Sequence, residues 1–302
     1  MNIIIAVPVD ENLAAFIGKK GSSESITFFN RKFENDVIVM LFPSQEDEKV
    51  HALAETMLIA SKIVLSTASI DRKFGEALVA ASLLDKAVLL TNDNDVGALL
   101  KGTGMKNYRV VPKEELLGAI VAPVPEAKDR GAGVRVDIDK AFPVKGIGTV
   151  ALGVVTRGVI RQHDKLYHTS GKQVMVRSLQ SQDEDVTSAD VGTRVGVSLK
   201  DVDEKEIGKG DLLTSAPVRR AKKIAIGYKA SPAAKETIME GSSYRFVTNF
   251  SRSDCVVTKA GSGELEIELS IPLPMEPGDE VFLIRRELPR LFASGSVKKV
   301  LA

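Results

Sequence analysis

The sequence predicts an α/β domain followed by two small β-barrels, over residues 1–122, 134–217 and 218–302, with a linker at 123–133. Three observations carry that prediction. As far as residue 120, short apolar runs alternate with stretches of helical spacing, the pattern of a largely parallel sheet flanked by helices. Val134, Val136 and Ile138 then alternate with Arg135, Asp137 and Asp139, the period of a strand with one buried face. Beyond residue 217 the chain breaks into short strands, of which 264–269 (ELEIEL) alternates strictly.

Taken in order, residues 2–7 (NIIIAV) form a continuous apolar run, suited to a parallel strand covered on both faces. Residues 26–29 and 37–42 read as two further strands, joined by the polar stretch 30–36. Helical spacing follows over 49–59, then a strand at 62–66, a helix at 73–84 and a strand at 87–90. A helix starts at 96–100, a strand covers 108–111, and a closing helix covers 113–120. Gly18-Lys19-Lys20-Gly21-Ser22 reads as a basic turn, because it follows no strand end. Pro123-Val124-Pro125 opens a linker rich in Pro, Gly and charge.

In the first barrel Phe142-Pro143 breaks the alternation, and Gly146 and Gly148 call for a bend with positive φ or a close backbone approach. A second strand covers 149–156, and Arg157-Gly158 turns the chain into a third around Val159-Ile160. The second barrel begins with 218–226 and continues through strands at 244–248, 256–258, 264–269 and 280–284.

Composition narrows the function classes. Of 302 residues, 44% are hydrophobic and 27% charged, which reads as soluble and globular rather than disordered. A single cysteine, Cys255, excludes an intramolecular disulfide and a Cys-cluster metal site, and fits a reducing cytoplasm. As a lone thiol it reads as a small core residue. His51, His163 and His168 are too scattered for a ligand set. The apolar start, MNIIIAVPVD, has no basic lead-in and reads as a buried strand rather than a signal peptide. No run approaches the length of a membrane span. Net charge is +1, distributed as −3 over residues 1–120, 0 over 121–217 and +4 over 218–302. The last third therefore permits an RNA contact without demanding one.

The order of residues in the first barrel says more. Asp139, two residues, Phe142, then Gly146-Ile147-Gly148-Thr149-Val150 and Arg157-Gly158-Val159-Ile160 resembles the start of the second domain of translational GTPases. That domain is the β-barrel after the GTP-binding domain in EF-Tu and in SelB, the selenocysteine-specific elongation factor. The resemblance continues through Asp164-Lys165-Leu166 and 176–180, and closes with 189–197 and 207–213. The chain is identified as similar to the archaeal SelB-like proteins, relatives of SelB with eroded GTP motifs.

The resemblance implies a degenerate GTPase-like first domain. Against the family's G-H-V-D-x-G-K-T, residues 7–14 (VPVDENLA) keep only Val9 and Asp10. The glycines, lysine and hydroxyl that cradle phosphate and hold Mg²⁺ are replaced. Against D-x-P-G-H, Leu41-Phe42-Pro43-Ser44-Gln45 keeps only the proline; against N-K-x-D, Asn92-Asp93-Asn94-Asp95 keeps Asn92 and Asp95. Asp10, Asn92 and Asp95 are thus the remnants of a cofactor site. The expectation is no catalytic residue, no metal and no cofactor, hence an inactive homologue rather than an enzyme. A nucleotide-dependent enzyme with a non-standard site in the α/β domain is the alternative.

As a partner the resemblance implies tRNA or the ribosome, with no membrane and no DNA, in the cytoplasm. Carried over by position, the tRNA-end pocket comprises Phe142, Asp139 and Gln180. Gln180 stands for a carboxylate of EF-Tu, Asp183 for a base, and Lys140 for an acid. Phe142 serves either barrel packing or base stacking. In the last third Arg219, Arg220, Lys222, Lys223, Arg285, Arg286 and Arg290 are the candidate RNA contacts, or else solubilise a barrel surface.

Overall fold

Alternation within single strands decides how the three units pack. The computed structural model describes residues 2–34, 36–43, 50–91, 94–123, 132–200 and 202–302. In the first unit, strand β1 (Asn2–Ala6) leads to helix α1 (Glu11–Ile17), then β2 (Lys19–Ser23), β3 (Ile26–Phe33) and β4 (Asp36–Pro43). After these come α2 (Val50–Ile59), β5 (Lys62–Ser66), α3 (Arg72–Leu83), β6 (Ala87–Thr91), α4 (Gly97–Thr103), β7 (Tyr108–Val110) and α5 (Leu116–Val121). The sheet order is β2-β3-β4-β1-β5-β6-β7; β1 is parallel to β4 and β5, while β2–β3 and β3–β4 are antiparallel. Ile3, Ile5 and Val7 enter the core under α1 and α5, whereas Ile4 and Ala6 enter the core under α2 and α3. A strand covered on both faces needs apolar residues at every position. That is why NIIIAV is continuous.

Two local expectations are corrected. Residues 19–23 form an edge strand, not a turn, because the backbone of this polar stretch pairs with β3. The stretch 30–36 is mostly strand, and β3 and β4 meet in a tight turn with Glu34 at φ 54°. β8 (Arg135–Val144) runs on through Phe142-Pro143, where the alternation breaks. Beyond Ile138 that strand has β9 (Gly148–Arg157) on one side only, and a proline is accommodated on such an open side. Gly146 and Gly148 do adopt positive φ, 81° and 100°.

The first barrel continues through β10 (Val159–Arg161), β11 (Lys165–His168), β12 (Gln173–Ser181), β13 (Glu184–Val186), β14 (Ser188–Asp190), β15 (Arg194–Lys200) and β16 (Leu212–Thr214). Its order is β11-β16-β8-β9-β15-β12-β13, and the β11–β12 pairing closes the ring. The second is a closed barrel, β17-β20-β19-β18-β21-β22. Its strands are β17 (Arg220–Ala230), β18 (Ser243–Thr248), β19 (Ser251–Gly261), β20 (Glu264–Pro274), β21 (Glu280–Ile284) and β22 (Leu291–Val300). No helix among the described residues is long and apolar enough to cross a membrane.

The barrels pack on the α/β domain through one continuous core. Val154 of the first barrel and Val247, Phe250, Phe282, Ile284 and Leu291 of the second join the cluster around α2 and α3. Helix α2 (VHALAETMLI) is buried at every position except His51. A helix that is apolar all round must be covered all round. Its one acid, Glu55, is wholly buried. It receives Lys209 Nζ of the first barrel at 2.6 Å and Arg252 Nη1 of the second at 3.3 Å. All three units therefore meet at one carboxylate. At the helix's end, Lys86 Nζ donates to the carbonyls of Met57 (2.8 Å) and Leu58 (2.6 Å) and lies 3.0 Å from Glu280 of the second barrel. Between the barrels, buried Arg135 bonds Asp137, Glu276 and Asp279, and Asn249 Nδ2 donates to Asp137 at 2.7 Å.

Burial pushes the Glu55 carboxyl above the ordinary range, and Lys209 and Arg252 only partly offset it. A carboxyl raised in the folded state contributes stability that is present below its ordinary value and lost as pH rises through the folded one. Glu55→Gln removes that slope. The stability difference between wild type and variant, in favour of wild type, is therefore larger at about pH 5 than at about pH 7.5. Urea titrations at the two pH values measure it, and a difference that shrinks on acidification contradicts the assignment.

Candidate functional site

Two places can carry function: the carboxyl edge of the α/β sheet, and the outer face of the first barrel. In open α/β sheets phosphate binds beyond the strand ends, against helix amides. Here that place is taken by the chain's own groups. Asp10 is extended (φ −138°, ψ 96°) and its Oδ1 accepts from Leu13 N at 2.9 Å, while its carbonyl accepts from Ala14 N at 3.1 Å. Glu11 follows, with Lys20 Nζ at 2.8 Å. Asp95 Oδ1 accepts from Gly97 N at 2.8 Å at the start of α4, and Asn94 Nδ2 donates to Thr67 O at 2.6 Å, tying the β5 and β6 loops together. Asp10 and Asp95 thus act as helix and loop caps. Asn92, Ser44 and Gln45 lie outside the described residues. Among the described residues no group of His, Cys, Asp and Glu could hold a metal ion. Cys255 is buried, and burial pushes its thiol up to about 12, as suits a small core residue rather than a nucleophile.

On the first barrel, register places the pocket residues. Phe142 pairs with Val150, Val150 with Ser198 and Ser198 with Ser178; Lys140 pairs with Leu152, Leu152 with Gly196 and Gly196 with Gln180. Cross-strand partners share a face, so Phe142 and Gln180 stand on the same outer face of β8-β9-β15-β12. Phe142, Val150 and Leu152 are half-buried there, and Gly196 leaves bare a spot where a Cβ would lie 3.4 Å from Leu152 Cδ2. Gln180 Nε2 donates to Asp185 at 2.9 Å. The Lys140 ammonium lies 5.9 Å from the Phe142 ring centroid and also pairs with Glu24.

The same face continues into the interface with the α/β domain. Asp139 is held by Arg194 Nη2 at 3.1 Å, and burial pushes its carboxyl up despite that partner. Arg194 also donates to Ser22 Oγ at 2.9 Å, and its guanidinium carbon lies 3.2 Å from the Phe28 ring centroid. Asp139 therefore belongs to the domain junction rather than to the open face. Glu24, in the β2–β3 turn, reaches this face through its ion pair with Lys140.

The basic residues of the last third do not converge. Arg220 lies 2.5 Å from Asp211, and Lys222 and Lys223 each lie 3.3 Å from Glu268. Arg285 pairs with Glu236 and covers the Phe292 ring at 4.2 Å. Arg290 Nε donates to Glu76 of α3 at 2.8 Å, a clamp between domains. Arg219 and Arg286 are exposed. β17 and β22 run antiparallel from Ile224 opposite Val300 to Ala230 opposite Ala293, so 219–223 and 285–290 sit at opposite ends of β22. Ten residues of strand separate them, roughly 30 Å. Sequence reasoning missed Glu55, although one acid inside the apolar run of α2 was the available signal.

Residues 148–214 match the family model of elongation factor Tu domain 2. The whole fold superposes on translation elongation factor SelB from Methanococcus maripaludis in complex with GppNHp, with a TM-score of 0.81 at 19% identity, covering 99% of this chain and 79% of that one. By sequence, an uncharacterised protein of Methanocaldococcus jannaschii is 27% identical over 282 residues, 91% of this chain and 92% of that protein. The selenocysteine-specific elongation factor of Haemophilus influenzae is 24% identical over 199 residues, 60% of this chain but only 30% of that protein. The first of the two barrels that follow the α/β domain is thus similar to domain 2 of elongation factor Tu. Over its full length the chain shares the fold of SelB.

Proposed function

We propose that this chain is a non-hydrolysing translation protein that binds tRNA or the ribosome in the cytoplasm through its first barrel, and that its α/β domain serves as a scaffold rather than a GTP switch. The observation that carries the reading is Asp10, whose carboxylate already takes the Leu13 amide where a phosphate would approach. The absent lysine and glycines of the phosphate loop support it, as do the carboxylates of Asp10, Glu11 and Asp95 along the same edge. The fixing of α2 between the barrels by Lys209 and Arg252 is a further support, since GTPase switch segments work by ordering and release.

A charge-assisted hydrogen bond contributes about 1.5–3 kcal/mol, so losing several weakens nucleotide binding by orders of magnitude. Isothermal titration with GTP and Mg²⁺ is expected to give no saturable heat in the low-micromolar range. A constant that tight overturns the reading. Thermal stabilisation by ATP or GTP in the same buffer supports instead a nucleotide-dependent enzyme.

A further inference from the structure

Among the described residues, one group of cations without an ion pair gathers on the first barrel. Binding to a polyanion draws on cations that no carboxylate of the protein has already neutralised. At the turn end of the first barrel Lys145, Lys165, Lys200 and Lys205 are exposed and make no ion pair with a described residue. Arg177, also exposed, uses one Nη1–H on the carbonyl of Ile147 at 3.0 Å and no carboxylate.

Register brings these five together. Lys200 of β15 pairs with Met175 of β12, and Met175 with Lys165 of β11, so the two lysines flank one half-buried methionine on the outer surface. Arg177 follows Met175 on β12 and reaches the β8–β9 turn, which carries Lys145. Between that turn and the loop bearing Lys205 lies an open cleft of about 450 Å³, lined by Gly148, Thr149, Arg177 and Lys205. Thr149 Oγ1 donates to the carbonyl of Val202 at 2.9 Å and the Asp203 carboxylate accepts from Lys205 N at 3.1 Å, so the loop is held in place. Asp203 and Glu204 line the same cleft and match Arg177 and Lys205 in number, so the excess of positive charge on the rim is that of Lys145, Lys165 and Lys200. Val144 pairs with Gly148 at the end of the strand that carries Phe142, so this basic rim adjoins the half-buried face of Phe142 and Val150.

We infer that this rim is the RNA-backbone surface of the protein, its cations following successive phosphates past the cleft. The inference rests on the RNA-binding reading above and moves the contact from the second barrel to the first.

Fluorescence anisotropy with labelled bulk tRNA, over about 50–200 mM salt, tests it. Lys145→Gln, Lys200→Gln and Lys205→Gln are combined in one variant. Arg219→Gln, Lys235→Gln and Arg286→Gln form a charge-matched control of exposed cations in the last third. Equal melting temperatures establish that both variants fold. The first variant is expected to lose at least roughly tenfold in affinity at low salt, and its log–log salt slope to fall by about 2. The control stays near wild type. Equal losses in the two variants overturn this surface while leaving RNA binding in place. Absence of saturable tRNA binding by the wild type overturns both the surface and the proposed function.

Discussion

Arg135→Ala is expected to lower the unfolding free energy by about 3–5 kcal/mol, because it strands carboxylates that are already out of water. Arg135 is 5% exposed; its Nη1 lies 2.7 Å from Asp279 and 3.0 Å from Glu276, and Nε and Nη2 each lie 3.1 Å from Asp137. Burial alone would disfavour the guanidinium's charge, but Asp137 and Asp279 hold its pKa well above the ordinary value. Without it, Glu276 keeps Arg157 at 3.1 Å and Asp137 keeps its hydrogen bonds from Asn249 and Thr156, while Asp279 loses its cation. Burial pushes the Asp279 carboxyl up even in the wild type. A raised carboxyl contributes stability that is lost as pH rises through its folded value, so the deficit of the variant is widest near neutrality and narrows on acidification. Urea unfolding at about pH 5 and pH 8 reads both effects, and a deficit under roughly 1 kcal/mol or one independent of pH contradicts this account.

Phe282→Ala is expected to cost about 3–5 kcal/mol and to split one calorimetric transition into two. Successive residues of β21 enter different cores. Val281 and Leu283 fill the second barrel, whereas Phe282 and Ile284 enter the cluster around α2 and α3. Truncating Phe282 therefore leaves its cavity between domains. Phe246→Ala is the control: Phe246 is equally buried but sits in the barrel's own core. It is expected to cost a similar amount while the domains still unfold together. Scanning calorimetry distinguishes the two variants, and a single transition in Phe282→Ala shows that the polar clamps alone keep the domains joined.

Some elements were legible because their cause is local. The continuous NIIIAV, the alternation at Val134, Val136 and Ile138, and the positive φ of Gly146 and Gly148 follow from strand period and backbone sterics. The match to the elongation factor Tu domain 2 family lies in that same well-patterned stretch. Others had no local cause. Helix α1 is seven residues long, too short for a periodic signal, and its cap, Asp10, reads in sequence as the remnant of a phosphate loop. β2 (KKGSS) is exposed throughout and has only its backbone pairing to make it a strand.

The charges divide in the same way. Hydrophobic patterning determined by itself that this is an α/β domain followed by barrels, the motif spacing over 139–213 carried the resemblance to the second domain of EF-Tu and SelB, and the sequence sets which cations exist. Which cations remain free was decided only in three dimensions. Arg290 meets Glu76 across 214 positions and Lys209 meets Glu55 across 154, while Lys145, Lys200 and Lys205 meet no described carboxylate. Strand period and turn geometry act between neighbours in the chain, so sequence carries them. Ion pairing acts between neighbours in space, and only the packing of three domains around α2 brings those neighbours together.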